Sequence, residues 1–141
     1  MEMQALYLLA RTVSRLADSL ECPIANTTLW TDSTTSIQWL QKDQGEAFIR
    51  NRVKILRPFL VKHIGTSDNP ADLASRGCKV SELIDNQQWF HGPEWLQKSE
   101  ELWPLTEFIH DPNKPTTGKE AEEINLAQIV KEHDKVRDPP P

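Results

Sequence analysis

Apolar positions in the first eighty residues recur in two rhythms. In MQALYLLARTVSRLADSL, Leu6, Leu9, Val13, Leu16 and Leu20 fall three or four residues apart, and Ala5 and Leu8 widen the stripe. That spacing predicts a helix packed on a sheet. Pro23 forbids its continuation past Cys22. The β-branched and aromatic run TTLWT, Thr27 to Thr31, predicts a short strand. DSTTSIQWLQK then opens with two good N-caps, Asp32 and Ser33, and presents Ile37, Leu40 and Trp39 on one side, the pattern of a second helix. A third helix follows in GEAFIRNRVKILRP. Its stripe is Phe48, Ile49, Val53 and Leu56, its flanks carry Arg50, Arg52, Lys54 and Arg57, and Pro58 stops it. FLVKHIG, with Phe59, Val61 and Ile64 between polar residues, predicts a second strand. NPADLASRG predicts a short helix, with Pro70 at its first position and Gly77 just past its end.

The order is helix, strand, helix, helix, strand, helix. Two strands joined through helices pair in parallel with a right-handed crossover, which makes the chain α/β. After Gly77 the texture changes. Residues 80–108 hold Trp89, Trp95 and Trp103, with short helices expected at Val80–Asp85 and Pro93–Gln97. These tryptophans are expected to anchor a helical extension onto the domain rather than to stack on bases. Residues 109–141 are acidic and rich in proline, and predict a mostly disordered tail with a helix near Ala121–Glu132. The expected organisation is thus 1–79, 80–108 and 109–141.

Charge and cysteine usage narrow the function classes. The net charge of −5 argues against nonspecific nucleic-acid binding by the whole surface. The charge is uneven: Met1–Lys79 carries 10 basic and 8 acidic residues, and Val80–Thr106 carries 1 and 5. Cys22 and Cys78 form no C-x-x-C pair and read as ordinary thiols of a reducing compartment. Arg11 and Arg15 break the first apolar run, so no signal peptide is visible. No run approaches the roughly 20 apolar residues of a membrane span. The expectation is an intracellular, cytoplasmic or nuclear protein without a membrane partner.

Carboxylates supply the candidate chemistry. Asp32 stands where a strand ends and a helix begins, and Asp72 has the same address after the second strand. Ligand-binding groups gather just beyond the carboxyl ends of parallel strands, and adjacent strands lie roughly 5 Å apart. Two converging carboxylates repel unless a cation lies between them, and an all-oxygen site suits Mg²⁺ or Mn²⁺. Each acid has a plainer reading. Asp32 alone reads first as a helix cap, and Asp72 as compensation for a helix dipole. Asp68 reads as a turn residue. Glu2 is a third candidate if the first helix points its N-terminus at the same cluster. His63, on the second strand, suits proton transfer beside such a site, though a lone histidine is more often structural.

LWTDSTTSIQWLQ, FIRNRV, HIGTSDNPADLASRG and WFHGPEWL, in that order, resemble the ribonuclease H region of BEL/Pao-type LTR retrotransposon polyproteins. The segment MEMQALYLLARTVSRL resembles that family's first long helix. The resemblance covers roughly Met1 to Pro104. It implies a ribonuclease H-like fold and two-metal hydrolysis of the RNA strand of an RNA–DNA hybrid. Glu2, Asp32 and Asp72 match three of the family's metal acids, and His63 resembles its accessory histidine. Arg50, Arg52, Lys54 and Arg57 are then candidates to meet phosphates. The family places three strands before the first helix, one bearing a further metal acid. The expectation is therefore an incomplete fold of two parallel strands with packing helices, catalytically dead or nearly so alone. The remainder of a pol polyprotein would be its partner. The alternative is a non-catalytic module that binds protein or nucleic acid. Peptidase chemistry finds no D-T-G or D-S-G, and His91, His110 and His133 with two distant cysteines do not make an integrase zinc site.

Overall fold

A computed structural model describes residues 2–42 and 45–114. The tail expected from 115 onward, with its helix, lies outside the described residues. The chain begins with helix α1, Glu2–Ala17. Strand β1, Thr28–Thr31, leads into α2, Thr34–Gln41, and α3, Ala47–Leu56. Strand β2, Leu60–His63, leads into α4, Pro70–Arg76. All six elements predicted from periodicity and punctuation are present, with ends within a few residues of expectation.

β1 and β2 pair in parallel, Thr28 opposite Leu60 through Thr31 opposite His63. The architecture is α/β, as the strand–helix–helix–strand order requires. The sheet has three strands rather than two. Ile109–His110 forms β3, antiparallel to β2, giving the order β1-β2-β3. The sheet is therefore mixed, and residues assigned to the tail at 109 and 110 belong to it. Two side chains fix β3. Gln41 Nε2 donates to the Ile109 carbonyl at 2.9 Å. The buried His110 places Nε2 3.0 Å from the Arg57 carbonyl at the end of α3. A carbonyl only accepts, so Nε2 carries the proton.

The core lies on one face of this sheet. Leu6 and Ala10 of α1, Ile37 and Leu40 of α2, and Val53 and Leu56 of α3 close over Leu29, Phe59 and Val61. Leu29 and Val61 are opposite each other in the ladder and share that face. Trp30 and Lys62, the next pair, share the other. There the Trp30, Trp95 and Trp103 rings meet pairwise at 5.2 to 5.7 Å, and the Lys62 ammonium lies 5.3 Å from Trp103 and 5.7 Å from Trp30. Trp95 and Trp103 thus anchor the extension as expected. Trp89 does not join them and stays 37% exposed.

The extension contains α5, Val80–Ile84, and α6, Gln87–His91, followed by 3-10 turns at Glu94–Gln97 and Glu100–Leu102. α6 was not predicted. Gly92 ends it at φ +74, where a Cβ would also lie 2.9 Å from Leu96 Cδ1, so the turn admits only glycine without a shift.

Candidate functional site: an acidic cleft at the sheet rim

Three elements carry the predicted acids to one place. Glu2 opens α1, Asp32 follows β1, and Asp72 lies in the first turn of α4. All three line a single cleft of about 430 Å³, with Leu6 and Leu9 of α1, Trp30 and Thr31 of β1, and Asn69 and Ser75 at α4. The cleft sits at the carboxyl end of β1, where the parallel pair was expected to gather ligand-binding groups.

Each acid has its own local setting. Asp32 does not cap α2. Ser33 is the N-cap, and its Oγ accepts from the Ser36 N–H at 3.1 Å and from the Ser36 hydroxyl at 3.0 Å. The same Ser33 hydroxyl donates to Glu2 Oε2 at 2.8 Å. The Glu2 carboxylate is thereby held at the N-terminal end of α2, where the helix dipole favours a negative charge. Asp72 faces Arg76 one turn on, with Oδ2 2.7 Å from Nη2. That oxygen is shut off from solvent and makes no aligned hydrogen bond, although the Asp72 side chain as a whole is 15% exposed. The Arg76 guanidinium is largely exposed, so the pair is close in distance but well screened on one side. Asn69 caps α4 through the Ala71 N–H at 3.1 Å, which orients the helix start over the cleft.

A shared cleft is not yet an ion cage. Among the described residues no three histidine, cysteine, aspartate or glutamate side chains stand close enough to hold one ion. Glu2 is occupied by Ser33 and Asp72 by Arg76, so the donors as placed do not fit the metal cluster that the resemblance implies.

His63 lies elsewhere. It lines a separate small cavity of about 80 Å³ with Trp30, Asp68 and Trp95, edge-on to Phe108 at 6.0 Å. It belongs to the central strand, one strand in from the rim that carries the acids. Asp68 is a turn residue, as read from sequence, and its Oδ2 accepts from Trp95 Nε1 at 3.3 Å.

The basic residues of α3 also stand apart, since none of Arg50, Arg52, Lys54 and Arg57 lines the acid cleft. Arg52 is committed internally. Its Nε donates to Gln4 Oε1 at 2.6 Å, and its guanidinium lies 3.2 Å from the Phe48 ring centre and 5.2 Å from that of Tyr7. Arg57 is engaged as well. Arg50 and Lys54 remain on the exposed side of α3.

Sequence reasoning missed Trp30 in the cleft lining, and Ser33 and Arg76 as the partners of Glu2 and Asp72. The signals were present: Ser33 is one residue before an expected helix, and Arg76 is four residues after Asp72. Comparison with protein-family models, with curated proteins and with solved structures finds no match.

Proposed function

We propose that this chain is a ribonuclease H-like region of BEL/Pao retroelement descent that does not by itself turn over an RNA–DNA hybrid. One observation carries the descent beyond motif likeness. Glu2, Asp32 and Asp72, the three acids matched by the motif likeness, line one cleft at the carboxyl end of a parallel strand. The absence of turnover rests on the side chains themselves. Two of the three acids are engaged by Ser33 and Arg76, and His63 opens onto a different cavity. A Mg²⁺ or Mn²⁺ ion that bound Asp72 through Oδ2 would compete with the Arg76 guanidinium.

The test is incubation of the purified chain with a labelled RNA–DNA hybrid and Mg²⁺ or Mn²⁺. The expected result is no cleavage above the protein-free control. Cleavage that disappears in Asp32→Asn and Asp72→Asn would show an active enzyme and overturn the second half of the proposal.

A further inference from the structure

Two carboxylates of the cleft are balanced from within the chain, by different devices. Glu2 Oε2 accepts from the Ser33 hydroxyl at 2.8 Å. That hydroxyl is neutral and is itself tied to the start of α2 by the Ser36 N–H and hydroxyl. Asp72 Oδ2 lies 2.7 Å from Arg76 Nη2, a charged partner one turn along α4. Arg76 does not line the cleft and its side chain is 73% exposed, so it reaches the carboxylate from solvent rather than from the cleft. Among the described residues no other hydrogen bond or ion pair holds the guanidinium. It can leave by rotamer changes alone, without loss of core packing. While the pair stands, Asp72 Oδ2 is shut off from solvent and its charge is met. Asp32 is the contrast, since among the described residues no hydrogen bond or ion pair reaches its side chain. With Arg76 in place, three carboxylates and one guanidinium leave a formal charge of −2 at the cleft. Without it the charge is −3 and one more oxygen is free.

We propose that Arg76 is a built-in counter-ion that keeps divalent cations off Asp72. The cleft holds Mg²⁺ or Mn²⁺ weakly while Arg76 pairs with Asp72, and more tightly once that pair is broken. A guanidinium and a hard divalent ion seek the same carboxylate oxygens, and ion affinity rises with the number of free carboxylates. The misfit between these acids and an ion cluster then rests on one movable side chain. The inference depends on the reading of this cleft as a former ion site, but its readout is ion binding and not cleavage. A chain that cleaves no hybrid can still bind Mn²⁺ once Arg76 is gone, so the two proposals fail separately. A pair that merely stiffens α4 predicts lower stability on losing Arg76 and no gain in ion affinity.

The experiment uses the full chain and Mn²⁺ alone, with binding followed by the electron paramagnetic resonance signal of the free aquated ion at fixed ionic strength. Arg76→Gln is expected to bind Mn²⁺ about fivefold more tightly than the unaltered chain, the factor that corresponds to an exposed ion pair. Arg76→Lys keeps the charge and is expected to stay within about twofold of the unaltered chain. Adding Asp72→Asn to Arg76→Gln is expected to abolish the gain. Arg15→Gln makes the same charge change in the last turn of α1, about 20 Å along the helix from Glu2, and is expected to bring no gain. Tryptophan fluorescence checks that each variant is folded, and Arg76→Ala takes the place of Arg76→Gln if the glutamine variant is not. Unchanged affinity in the variant lacking Arg76, a gain that survives Asp72→Asn, or an equal gain in Arg15→Gln would overturn the proposal. So would the full gain in Arg76→Lys.

Discussion

Single residues decide whether a charged side chain serves the fold or a partner. Arg52 and Arg50 lie two apart on α3 and look alike in sequence, yet Arg52 is half-buried between Gln4, Phe48 and Tyr7 while Arg50 is exposed. Removing Arg52 takes away a side-chain hydrogen bond, stem packing and two ring contacts. Arg52→Ala is expected to lower unfolding stability by about 1–2 kcal/mol in urea titration. Arg50→Ala is expected to stay within about 0.5 kcal/mol. Arg52→Lys should recover little, because an ammonium lacks the planar fork that stacks on the rings. Sequence made the four basic residues equivalent. Only the neighbours contributed by α1 separate them, and those neighbours are some 48 positions away along the chain.

At the scale of elements, legibility followed length and punctuation. The stripes of α1 and α3 and the Pro70 and Gly77 brackets of α4 identified those helices without ambiguity. The placement of Asp32 and Asp72 at one rim followed from the parallel topology alone. β3 was not legible, because two residues show no periodicity and their pairing partner lies on β2, far back in sequence. α6 had a signal, Asn86 capping through the Trp89 N–H and Gly92 beyond the end, but five residues give too short a stripe to recognise. The bonds that occupy the acids were the other blind spot, since Ser33 to Glu2 spans 31 positions. β3 itself yields a prediction. His110→Phe keeps the size of the buried ring but leaves the Arg57 carbonyl without its donor. The expected cost is about 1–3 kcal/mol. Exchange of the His63 amide, which bonds the Phe108 carbonyl at 3.1 Å, should speed up with it.

For the whole molecule, the sheet is thin and its two faces are unequal. One face carries the aliphatic core, the other a knot of three indoles and one lysine. Among the described residues the largest fully buried side chains are Phe59, Ile37, Leu40, Leu56 and Val61. A domain of this size is stable by about 5–15 kcal/mol. Leu56→Ala opens a hole under α3 and is expected to cost about 2–5 kcal/mol, a large share of that total. Thermal unfolding followed by tryptophan fluorescence checks it, because the indole knot and the core share β1 and β2 and should be lost together.

The His110 contact with Arg57 also constrains how the protein is born. The two residues are 53 positions apart. At about 5–20 residues per second, a ribosome reaches the histidine about 3–10 s after the arginine. Once α3 emerges, its end waits the same interval for the His110 ring, with the central strand bare on one side. Synthesis order thus builds in a waiting period, during which a chaperone has its best opportunity to hold the nascent chain.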